Sequence, residues 1–74
     1  MSKKNPHVVP LGNGWAVKKE GEKRATIITT RQSDAIDYAR KLAQSERSEL
    51  VIHGRNGKIR DRYSYGNDPV RRKG

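Results

Sequence analysis

The amino-acid sequence predicts an α+β domain: an antiparallel sheet with elements in the order β-β-β-α-β-β and one helix packed on one face. Three observations predict it. Short apolar runs alternate with polar residues at the period of two that half-buried strands show. Turns that contain glycine and asparagine separate these runs. One central stretch has the 3.6-residue apolar period of a helix, and a sheet covered on one face by a helix is the simplest layered solution.

The first three predicted strands precede the helix. Residues 7–10 form a short extended run, which we expect either to lie at an edge of the sheet or to end at Pro10, because Pro10 cannot donate a ladder hydrogen bond. Residues 12–14, Gly-Asn-Gly, form a turn. Residues 15–19 then alternate, with the tryptophan and the valine on one face. Residues 24–29 are rich in β-branched side chains and predict the third strand.

The helix is predicted over residues 31–45. Thr29 or Thr30 is expected to cap its first turn through a side-chain hydroxyl. Asp34 then lies where the helix dipole favours negative charge. The apolar stripe that should face the sheet consists of Ala35, Ile36, Ala39, Leu42 and Ala43.

The last two strands form a predicted hairpin. Residues 49–53 are the clearest strand of the sequence, and Asn56-Gly57 is a strong hairpin-turn signal. Residues 58–65 complete the hairpin. Regular alternation in this strand gives it two different faces. One face carries Ile59, Asp61, Tyr63 and Tyr65, and the other carries the cations Lys58, Arg60 and Arg62 together with Ser64.

Length and charge suggest one basic domain. The 74 residues allow one core, and we expect a flexible basic lead over residues 1–6, a single domain over 7–65 and a flexible basic tail over 66–74. The net charge is +9. The lead and the tail carry +2 each, which leaves +5 for residues 7–65. A basic excess within the folded part attracts polyanions, and nucleic acid first among them.

The absence of cysteine and the length of the apolar runs indicate the cellular compartment. The chain has no cysteine, which excludes disulfides and thiolate chemistry and favours a reducing cytoplasm. No apolar run follows the first lysines, so we expect no signal peptide. The longest apolar run, Leu50-Val51-Ile52, is far shorter than the roughly 20 residues of a membrane span. A cytoplasmic protein without a membrane span is therefore expected.

Several short segments in register resemble a known bacterial family. They are His7-Val8-Val9-Pro10, Gly14-Trp15-Ala16-Val17-Lys18, Arg24-Ala25, Thr29-Thr30-Arg31, Asp34-Ala35, Ala39-Arg40, Leu50-Val51-Ile52-His53-Gly54, Asn56-Gly57-Lys58-Ile59 and Tyr65-Gly66. Together they resemble the small bacterial domain of unknown function 2188, over roughly residues 7–66. The resemblance implies a compact bacterial α+β domain. It carries over no catalytic residue, because no activity is established for the family.

The sequence does not predict an enzyme, a metal or a cofactor. No serine lies in a nucleophile-elbow motif, and no pair of carboxylates suggests a catalytic cleft. His7 and His53 could meet across neighbouring strands, but spacing provides no acidic third ligand for a metal. We therefore expect a binding module rather than a catalyst.

The candidate site is the final strand with its turn and the tail. In a regular strand, successive cations would lie about 6.6–6.8 Å apart and could follow nucleic-acid phosphates, while tyrosines stack on bases. An edge strand protected from aggregation by positive charge has the same pattern. A protein-interaction module or small homodimer is the alternative function. The predicted nucleic-acid-binding residues are Arg55, Lys58, Arg60, Arg62, Tyr63, Tyr65, Arg71, Arg72 and Lys73.

Overall fold

The computed structural model describes residues 4–65 and contains one five-stranded sheet with a single helix. This confirms the α+β class. The predicted tail, residues 66–74, and residues 1–3 of the predicted lead lie outside the described residues. The elements in chain order are β1 (Pro6–Leu11), β2 (Gly14–Lys19), β3 (Ile27–Thr29), α1 (Gln32–Glu46), β4 (Glu49–His53) and β5 (Ile59–Ser64).

The sheet is mixed, so the prediction of a purely antiparallel sheet was wrong. Its strand order is β3-β2-β1-β4-β5, and β1 runs parallel to β4 while the other neighbours are antiparallel. Of the two alternatives for β1, the edge position was wrong, because β1 is the central strand, and the strand ends at Leu11, one residue after Pro10. Its prolines are compatible with that place: Pro6 begins the strand, and Pro10 lies beyond His7 and Val8, the residues in register with β4.

The core lies between the helix and one face of the sheet. Ala35, Ala39 and Ala43 are fully buried, as the predicted apolar stripe requires. Small side chains allow the helix backbone to approach the strands closely, and packing at the density of protein interiors follows. The strand residues that contact the stripe come from the three central strands: Val8, Trp15, Val17, Leu50 and Ile52.

The helix begins without the predicted threonine cap. Arg31 occupies the N-cap position, and no side chain accepts a hydrogen bond from the first turn. Thr29 Oγ1 instead donates to the carbonyl oxygen of Arg31 at 2.7 Å, so its hydroxyl stabilises the turn into the helix. At the other end Arg47 adopts the left-handed conformation (φ 53°), and Ser48 N–H donates to the carbonyl of Ala43.

Strand β5 is an exposed edge that the helix does not cover. The helix packs on β1 to β4, whereas all six residues of β5 are exposed. A β-bulge interrupts its pairing with β4: Ile52 faces Asp61, but His53 faces Ile59, so Arg60 is the additional residue. The bulge changes which side chains share a face of the strand.

Candidate nucleic-acid interface

The β4–β5 turn brings three of the predicted cations to one place. Arg55, Lys58 and Arg60, together with Gly54, Asn56 and Ile59, line an open cleft of about 590 Å³. Local geometry produces this arrangement. Gly57 supplies the positive φ (87°) that closes the turn, and Gly54 N–H donates to the carbonyl of Lys58 at 2.8 Å.

The predicted regular row of cations along β5 does not form. Arg60 Nη1 donates to Gln32 Oε1 at 2.8 Å, so this guanidinium turns toward the first residue of the helix. Arg62 is opposite Val51 and lies 4.0 Å from Glu49, on the face of the sheet away from the helix. The bulge is the cause, because regular alternation would place both arginines on one face. The strand therefore presents cations on both of its faces.

Arg55 has a structural partner set of its own. Its Nη1 donates to the carbonyl oxygens of Gly12 and Gly14 at 3.1 and 3.2 Å, and its Nη2 to that of Asn13 at 3.5 Å. Its guanidinium carbon lies 4.4 Å from the centroid of the Trp15 ring. This arginine joins the β4–β5 turn to the β1–β2 turn. The guanidinium N–H groups of Arg55 are thus hydrogen-bonded within the domain, whereas the ammonium of Lys58 has no such acceptor among the described residues.

The two predicted tyrosines differ in availability. Tyr63 is 46% exposed and faces Leu50 across the strand pair. Tyr65 packs against the core, and its N–H donates to the carbonyl of Ser48 at 3.1 Å. Of the two, Tyr63 is exposed and Tyr65 is half-buried. The remaining predicted cations, Arg71, Arg72 and Lys73, lie outside the described residues.

The basic excess is not concentrated on the helix-free face of the sheet. On that face Lys18 and Arg62 are balanced by Glu20 and Glu49. In the described part of the chain, the Lys58 ammonium makes no ion pair or hydrogen bond. The β4–β5 turn and strand β5 carry four cations, Arg55, Lys58, Arg60 and Arg62, against one carboxylate, Asp61.

Comparison with known proteins gives the family. Residues 7–65 match a family described as an uncharacterized protein conserved in bacteria, domain of unknown function 2188. The chain belongs to this family. It is also 32% identical, over 66 residues, to the uncharacterized protein YdaT of Bacillus subtilis; this match covers 89% of the chain and 44% of YdaT. The chain thus spans less than half the length of this relative. No solved structure matches the chain.

In this member of the family, two histidines meet on the helix-free face, as the sequence allowed. His7 Nδ1 lies 2.9 Å from His53 Nε2, and the rings stack with centroids 5.2 Å apart. His7 Nε2 is 3.0 Å from Glu20 Oε2, and His53 Nδ1 is 3.0 Å from the carbonyl oxygen of Gly57. Sequence reasoning missed the carboxylate, because the predicted second strand ended at residue 19, whereas Glu20 N–H still donates to the carbonyl oxygen of Asn5 beside β1.

The histidine pair is a hydrogen-bonded chain rather than a chelate. Among residues 4–65, no three histidine, aspartate or glutamate side chains are placed to hold a metal ion. Glu20 binds the outer nitrogen of His7 and therefore does not face the same point as His53. The hydrogen bond from His7, followed by that from Asn5, lowers the pKa of the Glu20 carboxyl below its ordinary value.

No helix in the described part is long and apolar enough to cross a membrane.

Proposed function

We propose that this domain binds nucleic acid through its phosphate backbone, with little sequence specificity and without catalysis. The observation that carries the proposal is strand β5 with its turn. Arg60 and Arg62 lie on a strand that is exposed along its whole length and uncovered by the helix, and Lys58 lies in the turn directly before that strand. Phosphate contacts by lysine and arginine provide most of the sequence-independent affinity of such proteins.

The bulge makes β5 suitable for contact from more than one side. Arg60 extends toward the helix side and Arg62 toward the opposite side, so a backbone that lies along the outer edge of the strand meets a cation on either face. Tyr63 on the same strand offers a partly exposed ring for stacking on an unpaired base. Cytoplasmic location and the absence of a catalytic role belong to this proposal.

Fluorescence anisotropy of a labelled 20-nucleotide strand tests the proposal. We expect binding at about 50 mM salt that weakens as salt rises, because each neutralised phosphate adds about 0.7 to 0.9 to the negative slope of log K against log salt. The measurement uses the full chain, so the tail cations contribute. Absence of binding at this salt concentration contradicts the proposal.

A pair of double variants assigns the contact surface. Lys58→Ala/Arg62→Ala removes two exposed cations that contribute little to folding stability. We expect the negative slope of log K against log salt to fall by about 1.4 to 1.8. The matched control, Lys23→Ala/Lys41→Ala, removes the same charge from the β2–β3 loop and the exposed side of the helix. If both double variants lower the slope equally, the affinity comes from net charge and the assignment to β5 is wrong.

A homodimer is the second candidate function. The helix-free face exposes Leu11, Ile28 and Ile59 to 48%, 63% and 52%. The cations and carboxylates of this face balance, so a second copy of the chain related by a two-fold axis would meet no net repulsion there. Sedimentation equilibrium with wild type and Ile28→Ser measures it. A monomer of 8.4 kDa at millimolar protein concentration excludes this candidate.

A further inference from the structure

The contact chain on the helix-free face begins and ends in groups that only accept hydrogen bonds. One end is the carbonyl oxygen of Gly57, and the other is the carboxylate of Glu20. Between them lie His53 and His7, whose facing nitrogens are 2.9 Å apart. The chain therefore has three contacts, and each needs one hydrogen on a ring nitrogen.

The number of ring hydrogens follows from this requirement. Two neutral imidazoles carry one hydrogen each, so with Glu20 ionised one of the three contacts would join two lone pairs. One additional proton supplies the third hydrogen and satisfies every contact. Two additional protons would place N–H against N–H at 2.9 Å between His7 and His53. The arrangement is complete only with one excess proton on the pair.

We propose that His7, His53 and Glu20 form a proton-binding element in which the two imidazoles share a single excess proton. The element joins the end of β2, through Glu20, to the β4–β5 turn, through Gly57. Loss of the shared proton leaves one contact without a hydrogen, so the link between these two segments weakens as pH rises. This inference does not depend on nucleic-acid binding.

The charged surroundings favour His7 as the ring that holds the proton. The carboxylate of Glu20 lies 3.0 Å from its outer nitrogen, and Asn5 Nδ2 also donates to that carboxylate at 3.4 Å. The His7 side chain is 23% exposed, so the proton exchanges with solvent. The other charged groups that face the pair are two cations, Lys18 on β2 and Arg62 on β5, and one carboxylate, Glu49 on β4.

Nitrogen-15 NMR of the imidazole rings tests the shared proton. Across about pH 8 to 5.5, the interval in which histidines change charge, we expect the folded chain to take up one proton on this pair. The ring nitrogens of both histidines should report that uptake as one common transition. The hydrogen toward Gly57 should be on His53 Nδ1 throughout. Uptake of two protons in independent steps, or a hydrogen on His53 Nε2 alone, overturns the proposal.

The variant Glu20→Gln provides the sharper test. Its amide N–H can donate to His7, so two neutral imidazoles satisfy all the contacts and the need for the extra proton is gone. We expect both rings to remain neutral at a pH where the wild-type pair is charged. Glu22→Gln is the control, because it removes a carboxylate two residues along the chain that pairs with Lys4 instead of His7. Identical imidazole titrations of Glu20→Gln and wild type overturn the proposal.

Discussion

At the scale of the residue, the partners of a cation decide its role more than its charge does. Arg55 and Lys58 are three positions apart and line the same cleft. The planar guanidinium of Arg55 meets three carbonyls of the β1–β2 turn and the face of Trp15. The ammonium of Lys58 has no such partner in the described chain. The sequence pattern predicted both residues as phosphate contacts, because it contains no information on the contact that Arg55 makes with a distant turn.

Arg55→Lys separates charge from geometry. Lysine keeps the positive charge but loses the planar fork and the stacked contact with Trp15. We expect a loss of about 1 kcal/mol in the free energy of unfolding, measured by urea denaturation with tryptophan fluorescence. Lys58→Ala should change it by less than about 0.5 kcal/mol. An Arg55→Lys variant as stable as wild type would show that the guanidinium contacts contribute nothing.

Gly14→Ala tests a close approach between strands. A Cβ atom at Gly14 would meet the carbonyl oxygen of Thr29, which is backbone on the adjacent strand β3 and has little room to move. We expect a loss of about 1 to 3 kcal/mol in stability, as for other overpacked sites. At Gly54 the nearest atom to an added Cβ is the side-chain oxygen of Asn56 at 3.3 Å, a less severe approach than that to the Thr29 carbonyl, so Gly54→Ala should cost less. Thermal denaturation of the two variants gives the comparison, and equal costs would contradict it.

At the scale of the element, periodicity predicted most of what local sequence controls. The helix and β4 lie within a residue or so of their predicted bounds. Strand β5 also formed, but its bulge at Arg60 was not predicted, because no local residue preference marks it. One neglected signal was the unbroken apolar run of β4, Leu50-Val51-Ile52, all nearly fully buried. Such runs are typical of strands covered on both faces, as parallel central strands are.

Ala39→Leu tests the close packing of the helix on the sheet. Ala39 is fully buried in the core between the helix and the sheet, so a larger side chain has to displace the helix or adopt a strained rotamer. We expect a loss of about 1 to 3 kcal/mol in the free energy of unfolding by urea. Gln44→Leu adds the same side chain on the exposed side of the helix and should be neutral within about 0.5 kcal/mol. Equal stability of the two variants would mean that the alanine stripe imposes no spacing.

At the scale of the whole molecule, strand order is what the sequence did not predict. The parallel pairing of β1 with β4 joins residues such as His7 and Val51 across most of the chain, including the helix. Parallel neighbours need such a crossover, but several sheet orders satisfy the same local patterns. The same pairing brings His7 to His53. Candidate residues could therefore be named from the sequence, whereas the groups that they form depended on the sheet order.

Lys19, the last residue of β2, and Glu20, which follows it, have partners on opposite faces of the sheet. Lys19 makes the folding stability depend on pH in the alkaline range, and Glu20 does so in the acid range. Lys19 pairs with Glu46 of the helix at 2.8 Å, and this hydrogen bond raises the pKa of Lys19 above its ordinary 10.5. Glu20 turns to the helix-free face, where the bond from His7 lowers its pKa below 4.5. A raised lysine pKa contributes stability that is lost as pH rises through the folded value. A lowered carboxyl pKa contributes stability that is lost as pH falls.

The alkaline limit is tested by Glu46→Gln. Above about pH 10.5, wild type should lose stability as Lys19 gives up its proton, whereas the variant, which lacks the carboxylate, should show a shallower decline. Urea denaturation at a series of pH values from 8 to 11 measures the two slopes. A parallel decline in wild type and Glu46→Gln would show that the pair does not contribute.

The acid limit distinguishes the two faces. Below about pH 4.5, Glu20→Gln should lose less stability per pH unit than wild type, because the carboxylate whose protonation costs stability is gone. Half of the Glu20 side chain is exposed, so solvent screening keeps this difference small, and paired urea titrations at closely spaced pH values are needed to resolve it. Glu22→Gln is the control, since it removes one carboxylate from the same segment and leaves the contact between His7 and Glu20 intact. If Glu20→Gln also follows wild type there, while Glu46→Gln alters the alkaline slope, the Lys19–Glu46 pair contributes to the pH dependence of folding and the contacts of Glu20 do not.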